Sequence, residues 1–239
     1  MLNLPKSAFV LCAGMGTRMR PLTNDTPKPL VKIFDRPILD HIFDHLKASD
    51  IEKVTLNGHY KADQIEAYAE NKSKEFEVSF SYEYEILDTG GGLKKGLYTM
   101  PGNAPFYAIN GDAYWVETPG SDTALTRLAH FWNPDIMDVL LLLEPVKRMS
   151  LTKGVGDYDM GTDHRLTRNI SRTGTHMFTG IRLVHPRVFE FKSFEAFSFL
   201  ECMDEAQEAG RLFGIEHDGL WHHLSTPEDI QSVRAAGLR

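Results

Sequence analysis

The sequence predicts an α/β protein in which a mostly parallel β-sheet carries helices on both faces. Through the first half of the 239-residue chain, short apolar segments alternate with segments whose apolar residues recur at helical spacing. Strands that alternate with helices are joined by crossover connections, which make the sheet parallel and place helices on its faces. Residues 14–18 and 110–112 directly follow apolar strands. Because ligands of such sheets lie beyond the carboxyl ends of the strands, both segments are expected at a ligand-binding edge.

In the first half of the chain, each element follows from a local pattern. Residues 8–12 and 139–143 are continuous apolar runs, which are typical of buried strands, and residues 78–85 alternate apolar and polar side chains as a strand does. Residues 37–49 carry apolar side chains at helical spacing, and a proline suits the first position of that helix. The remaining expected elements are strands at residues 53–57 and 106–109 and helices at residues 62–71, 90–100 and 125–132.

The pattern after Lys147 is less regular. Strands are expected at residues 176–184 and 212–217, helices at residues 199–209 and 227–236, and turns around residues 154–161 and 163–165. No Pro-rich or Ser-rich linker and no repeat interrupts the sequence. We therefore expect one domain over residues 1–239, with no β-helix domain at its C-terminal end.

Composition and charge limit the classes of function. A formal net charge of −7 argues against broad binding of nucleic acid. No apolar run approaches the roughly 18 residues of a membrane span, and the N-terminus lacks a signal-peptide pattern. We therefore expect a cytoplasmic protein without a membrane partner, and the sequence does not distinguish a monomer from a homodimer. Cys12 and Cys202 are expected to be packed thiols rather than a disulfide.

The segment from Leu11 to Pro29 carries the most specific signal in the chain. It reads LCAGMGTRMRPLT, followed by PKP at residues 27–29. Glycines let the backbone approach a ligand closely, and consecutive N–H groups of a loop can hold phosphate oxygens. Arg18 and Lys28 add cationic donors suited to a polyphosphate. This combination predicts a site for the phosphates of a nucleotide.

Two other phosphate-binding loops fit this segment less well. A P-loop requires a Gly-Lys-Ser/Thr sequence, which the chain lacks. A dinucleotide-binding loop requires a third glycine, where this chain has Met19, although Asp35 lies about 20 residues downstream, where such a fold places an acid. A nicotinamide-dependent oxidoreductase is therefore a second and weaker hypothesis.

The same segment resembles the signature of the sugar-1-phosphate nucleotidyltransferases, or NDP-sugar pyrophosphorylases, which reads L-x-A-G-x-G-T-R-x-x-P-L-T with P-K-P shortly after. The resemblance continues at residues 89–92 (TGGG), 110–112 (NGD) and 179–181 (TGI), and it covers most of the chain. It implies a Rossmann-like fold and the transfer of a nucleotidyl group from a nucleoside triphosphate to a sugar 1-phosphate, with release of pyrophosphate.

The compact length and residues 87–92 are most similar to the members of this family that act on UTP and N-acetylmuramic acid 1-phosphate in cell-wall recycling. The alternatives are the same chemistry on a glucose, mannose or other sugar 1-phosphate, or on a phosphocholine-type acceptor. A non-catalytic nucleotide-sugar sensor is a further alternative.

The resemblance implies roles for individual residues. Arg18 would hold the triphosphate and the departing pyrophosphate, Lys28 would stabilise charge at the α-phosphorus, and Asp112 would bind Mg²⁺, with Mn²⁺ as the alternative. The implied nucleotide-binding positions are Ala13, Gly14, Gly16, Thr17, Asn57, Glu83, Thr89 and Gly90. The implied sugar-binding positions are Asn110, Gly154, Asp157 and Gly180. Residues 1–147 would then form the nucleotide half of the domain, and residues 148–239 the sugar half.

The chain departs from the family pattern at two places. Relatives carry a second metal-binding aspartate in a segment like W-x-D-x-G-T, where this chain reads WHHLST, so that His223 stands at the aspartate position. Imidazole suits Mn²⁺ and other transition metals better than Mg²⁺. Three outcomes stay open: Asp112 alone holds Mg²⁺, His223 binds a softer metal, or activity is weakened. The Glu-Lys-Pro motif of many relatives is also absent; Arg168 or Arg172 could supply its positive charge, but the default expectation for both is a solvated surface residue.

Overall fold

A nine-stranded, mostly parallel sheet forms the centre of the protein in the computed structural model, which describes residues 4–100, 102–151 and 154–237. The strands of these residues are β1 (Ser7–Leu11), β2 (Lys32–Ile33), β3 (Arg36–Pro37), β4 (Lys53–Gly58), β5 (Glu77–Tyr82), β6 (Phe106–Asn110), β7 (Ala113–Val116), β8 (Val139–Pro145), β9 (Tyr158–Met160), β10 (Leu166–Arg168), β11 (His176–Val184), β12 (Leu212–Glu216) and β13 (Leu220–His223). The α-helices are α1 (Ile38–Ala48), α2 (Ala62–Lys72), α3 (Asp88–Gly96), α4 (Ala124–Phe131), α5 (Phe199–Glu208) and α6 (Pro227–Ala235). Short 3₁₀ helices cover Thr17–Met19, Lys28–Leu30, Leu97–Thr99, Val146–Arg148 and Pro186–Phe189.

The strand order brings the two predicted ligand-binding loops side by side. β5, β4, β1 and β6 lie in this order and run parallel, with Phe9 of β1 opposite Thr55 of β4 and Ala108 of β6. β11 lies antiparallel between β6 and β8, and β12 extends the sheet parallel to β8. The carboxyl ends of β1 and β6 therefore meet the first residues of β11 at one edge of the sheet.

Helices cover both faces of the sheet, as the sequence predicts. Ala8 and Val10 of β1 pack into one apolar cluster with α1, α2, α4 and α6, whereas Phe9 packs into a second cluster with α3 and α5. The side chains of a strand alternate between the two faces of a sheet, so a strand buried on both faces must be apolar throughout. β8 is the extreme case, since each of its residues is buried.

The predicted strands and helices occur with ends shifted by a few residues. The strand expected at residues 78–85 ends at Tyr82, because Glu83 turns inward to hydrogen-bond with Asn57. The helix expected at residues 90–100 begins at Asp88 and ends at Gly96, and a 3₁₀ turn follows it. Among the described residues, no helix is long and apolar enough to cross a membrane.

Besides the two-residue pair of β2 and β3, two short pairs of strands lie outside the expectation. The expectation of turns at residues 154–161 is partly wrong, because β9 lies there and pairs with β10 beyond the amino end of β11. A separate ribbon forms where β7, directly after Asp112, pairs antiparallel with β13. Strands of three or four residues are too short for a sequence pattern to reveal them. Cys12 and Cys202 are both free and buried, as expected.

Candidate active site

Two adjoining clefts open at the sheet edge where β1 and β6 end. The first cleft, of about 350 Å³, is lined by the loop after β1, by Lys28, by Asn57 of β4 and by residues that follow β5 and β6. The second cleft, of about 420 Å³, is lined by residues of β9, β10, β11 and the start of α5. Thr89 and Asn110 line both clefts, so a ligand in one is in reach of a ligand in the other.

The glycine loop after β1 forms one wall of the first cleft. Gly16 has a φ of 61°, a left-handed conformation that favours glycine. The Thr23 hydroxyl donates a hydrogen bond of 2.8 Å to the Gly16 carbonyl, which ties the loop to the next turn. Gly14, Thr17 and Arg18 are exposed and line the cleft. Arg18 forms no ion pair with any carboxylate of the described residues, so its charge is available to an anion.

Lys28 and Asp112 form an ion pair across the first cleft. The Lys28 ammonium lies 2.5 Å from the Asp112 carboxylate. Lys28 is 9% exposed and lies in a 3₁₀ turn between two prolines, which restrict the backbone of the loop. Gly111 brings the two loops together, since its N–H donates to the Leu11 carbonyl at 2.8 Å. A Cβ at Gly111 would lie 2.6 Å from that oxygen, so only glycine fits.

His223 lies next to Asp112 in the β7–β13 ribbon. It pairs with Ala113, the residue after Asp112, and its Nε2 lies 2.6 Å from the Ser225 hydroxyl. Burial lowers the pKa of His223, which keeps its imidazole uncharged at neutral pH. Ser225 lines the first cleft, whereas His223 is not among its lining residues.

A separate group of possible metal ligands lies at the other end of this ribbon. Glu117, His217 and Asp218 place their ligand atoms within 4.8 Å of one another. Asp218 is paired with Arg127 at 2.7 Å, and Glu117 accepts a hydrogen bond of 2.8 Å from the Trp115 indole. These bonds already use the carboxylates, and the cluster is not the predicted site at Asp112.

Asn57 and Glu83 form a buried network behind the first cleft. The Asn57 side chain accepts from the Cys12 N–H at 2.6 Å and donates to Glu83 at 2.6 Å. Glu83 also accepts from the Leu87 N–H at 3.0 Å. The network therefore joins the ends of β1 and β4 to the start of α3, and it fixes the shape of the cleft wall.

Burial, together with the negative charge of Asp112, raises the pKa of the Cys12 thiol, which stays uncharged.

The start of α3 separates the two clefts. The Thr89 hydroxyl accepts from the Phe199 N–H at 2.9 Å and so links α3 to α5. Gly90 faces away from the clefts: its N–H donates to the Phe197 carbonyl at 2.9 Å, and a Cβ there would lie 2.3 Å from the Phe197 ring. Gly90 is thus required by the packing of α3 on the segment before α5.

The second cleft is lined by two of the four residues that were predicted to bind the sugar, Asn110 and Asp157. Asp157 lies in its wall and accepts a hydrogen bond of 3.1 Å from the Phe178 N–H. Gly180 has a φ of 83° and does not line the cleft; a Cβ there would lie 3.0 Å from the Asn110 side chain. Gly154 packs against Met149 and lies outside both clefts.

Comparison with known proteins gives the family. The profile described as Nucleotidyl transferase matches residues 7–150. The chain is also 34% identical over 233 residues, 95% of each protein, to N-acetylmuramate alpha-1-phosphate uridylyltransferase of Caulobacter vibrioides. The chain belongs to the nucleotidyl transferase family. The expected resemblance to sugar-1-phosphate nucleotidyltransferases is thereby confirmed.

Other relatives of this nucleotidyltransferase agree with the assignment. A second N-acetylmuramate alpha-1-phosphate uridylyltransferase, from Neisseria meningitidis serogroup B, is 27% identical over 232 residues, which is 95% of this chain and 96% of the relative. The crystal structure of UDP-glucose pyrophosphorylase complexed with UDP-glucose superimposes with a TM-score of 0.79 at 15% identity, over 98% of this chain and 99% of that one. This likeness in structure confirms the predicted fold class.

Ser225 and Arg182 line the candidate clefts but were not among the predicted site residues. Ser225 lines the first cleft and stands where the family pattern W-x-D-x-G-T has glycine. Arg182 lines the second cleft from the middle of β11, yet it is only 2% exposed. A signal for Arg182 exists in the sequence, because it is a charged residue in the apolar run Ile181–Val184 of a strand expected to be buried.

Proposed function

We propose that this nucleotidyltransferase transfers a uridylyl group from UTP to N-acetylmuramic acid 1-phosphate, which yields UDP-N-acetylmuramic acid and pyrophosphate. The observation that carries the proposal is the pairing of Lys28 with Asp112 beside the glycine loop, in a chain 34% identical to an enzyme of that name. Such a product belongs to the recycling of cell-wall sugars, and the reaction needs only soluble substrates.

The reaction requires alignment and charge neutralisation more than acid–base chemistry. A phosphate monoester is already largely ionised near neutrality, because its second pKa is about 6, so the attacking oxygen needs no protein base. The enzyme must hold two anions together and stabilise the charge that develops at the α-phosphorus. This need agrees with a cleft lined by glycines, by the cations of Arg18 and Lys28, and by the Asp112 carboxylate.

Arg18 and Lys28 divide the phosphates between them in this proposal. Arg18, exposed at the end of the glycine loop, binds the β- and γ-phosphates and follows the departing pyrophosphate. The Lys28 ammonium is held in place by its prolines and by Asp112, so it meets the α-phosphate without reorganising. The backbone of Ala13, Gly14, Gly16 and Thr17 carries the remaining phosphate contacts.

Asp112 is the residue that suits a divalent cation. Its carboxylate lines the first cleft, its side chain is 37% exposed, and one oxygen bonds to no other group of the described residues. Mg²⁺ prefers such oxygen donors and is often held by one or two carboxylates together with phosphates. A cation held there by Asp112, with His223 next to it as a second ligand for Mn²⁺, would neutralise phosphate charge.

The two clefts divide the substrates between the halves of the chain. The residues lining the first cleft all precede residue 147 except Ser225, and those lining the second cleft follow it except Thr89 and Asn110. We therefore assign residues 1–147 to the nucleotide and residues 148–239 to the sugar. Asn110 and Asp157 supply polar contacts to the sugar, and Thr89 meets the base.

The test is pyrophosphate release by the purified protein with four nucleoside triphosphates and four sugar 1-phosphates, in Mg²⁺ and in Mn²⁺. The sugars are N-acetylmuramic acid, N-acetylglucosamine, glucose and mannose. We expect release with UTP and N-acetylmuramic acid 1-phosphate. Release with another pair keeps the reaction and rejects the substrates. If no pair of substrates releases pyrophosphate and the protein still binds UTP, a nucleotide-sugar sensor is favoured. His223 at the aspartate position would explain the loss of activity.

A further inference from the structure

Arg182 is a buried cation at the floor of the second cleft. Its guanidinium lies over the rings of Phe199 and Phe178, with its central carbon 4.5 and 5.5 Å from the two ring centres. Nη1 donates a long hydrogen bond of 3.5 Å to the Asn110 side chain. Nε and Nη2 are buried and have no hydrogen-bond partner among the described residues. A buried polar group without a hydrogen-bond partner costs folding free energy, so the burial of Arg182 requires a functional explanation.

The charge of Arg182 has no counter-charge among the residues that the structure describes. The acidic groups that act on it are Tyr158 and Cys202, and burial raises the pKa of Cys202 to about 12 and that of Tyr158 further, so both are neutral at pH 7. Burial lowers the pKa of Arg182 only to about 10, which leaves its guanidinium charged at that pH. No carboxylate of residues 4–100, 102–151 or 154–237 lies within ion-pair distance of it.

The other two arginines of the second cleft are already paired. Arg168 lies 2.5 Å from the Asp204 carboxylate, and Arg172 lies 3.4 Å from Asp157. The positive charge of each of these two arginines is therefore balanced by a neighbouring carboxylate. The unbalanced charge of this cleft is that of Arg182, and the first turn of α5, with the positive end of its dipole, adds to it.

We propose that the second cleft is built for a sugar that carries a carboxylate, and that Arg182 is the residue that selects it. The proposal rests on the proposed function, in which Arg18 and Lys28 already hold the phosphates and leave Arg182 for another anionic group. N-acetylmuramic acid has such a group, because it is N-acetylglucosamine with a lactate joined through an ether at O3. A carboxylate in the cleft competes with the Asn110 carbonyl oxygen for the guanidinium and supplies the missing counter-charge.

The test compares two sugar phosphates that differ only in this carboxylate. Isothermal titration calorimetry measures the Kd of N-acetylmuramic acid 1-phosphate and of N-acetylglucosamine 1-phosphate. The variants are Arg182→Met, Arg182→Lys and the control Arg165→Met, which removes an arginine that also lies over a phenylalanine ring but lines neither cleft. The phosphate is common to both probes, so the ratio of the two Kd values isolates the carboxylate.

We expect wild type and Arg165→Met to bind the acidic sugar phosphate about 10- to 100-fold more tightly than the neutral one, as a charge-assisted hydrogen bond requires. Arg182→Met should abolish this preference and leave the Kd for the neutral sugar phosphate unchanged. Arg182→Lys should keep part of the preference. The Tm of ligand-free Arg182→Met should equal or exceed that of wild type, because the variant removes an unpaired buried charge.

Two results overturn the inference. The first is a wild type that binds both sugar phosphates equally or does not bind them. The second is a change in the variants. Either Arg182→Met loses affinity for both sugar phosphates equally, or folded Arg182→Lys shows no preference for the acidic sugar phosphate. Because calorimetry needs no turnover, the result is separate from the proposed reaction: preference without uridylyl transfer supports the inference alone, and transfer without preference supports the proposed function alone.

Discussion

Replacing Lys28 by methionine is the perturbation that most sharply separates chemistry from stability in this site. The change removes the ammonium and keeps the aliphatic stem, which is buried between two prolines. A fixed electrostatic donor of this kind contributes about 10²- to 10³-fold to kcat in enzymes where one has been removed. We expect a loss of that size in kcat with UTP and N-acetylmuramic acid 1-phosphate.

The effect of this substitution on stability should be small. Asp112 loses its partner at 2.5 Å, but the Asp112 side chain is 37% exposed, so water can solvate its carboxylate. The lost pair is then worth about 1 kcal/mol at most, which corresponds to a fall in Tm of about 2–4 °C for a chain of this size. Differential scanning calorimetry measures this shift on the same protein sample as the assay.

Lys47→Met is the matched control for Lys28→Met. Lys47 forms an ion pair of similar length, 2.6 Å, with Glu75 on the surface, and it lines neither cleft. The assay is pyrophosphate release at saturating concentrations of both substrates, followed by a coupled enzyme. The control should keep the wild-type kcat. If Lys28→Met also keeps it within about threefold, less than 1 kcal/mol of barrier, Lys28 does not act on the reacting phosphate.

The remaining predictions concern the metal and a buried acid. Asp112→Asn should abolish metal-dependent pyrophosphate release while UTP still binds in calorimetry, and full activity in Mg²⁺ would remove Asp112 as an essential ligand. His223→Asp should raise the ratio of Mg²⁺-supported to Mn²⁺-supported kcat, and an unchanged ratio would make His223 a structural residue. Burial raises the pKa of Glu144 to about 7, so its contribution to stability is lost as the pH rises from the usual glutamate range through 7. Glu144→Gln should therefore increase the free energy of unfolding, relative to wild type, by about 2 kcal/mol more at pH 8 than at pH 5, as measured by urea denaturation. An equal change at both pH values would show that Glu144 is ionised in the folded protein.

The mostly parallel sheet and the edge that carries the site could be predicted from the sequence. Alternating strands and helices predict a parallel sheet, and in such a sheet the loops after residues 8–12 and 106–109 must meet at one edge. The structure explains why glycine occurs at two positions of these loops. Gly16 has a positive φ, and Gly111 lies against the Leu11 carbonyl. Local pattern and tertiary contact agree at these positions.

Other parts of the site depend on contacts between distant segments, which no local pattern contains. The ribbon that brings His223 next to Ala113 joins strands more than 100 residues apart. Asn57 and Glu83 read as polar residues at strand ends, yet each is 1% exposed and bonded within the protein. Gly90 and Gly154 match family positions, but the structure gives them packing contacts with Phe197 and Met149 instead of a place in either cleft.

Identification of the product by mass spectrometry and ³¹P NMR shows whether the chain forms UDP-N-acetylmuramic acid. Purified protein is incubated with UTP, N-acetylmuramic acid 1-phosphate and Mg²⁺, beside an Asp112→Asn sample. We expect UDP-N-acetylmuramic acid and an equal amount of pyrophosphate from wild type, and neither from the variant. Unchanged UTP and sugar phosphate in the wild-type sample, or UDP-N-acetylmuramic acid from both samples, would contradict it.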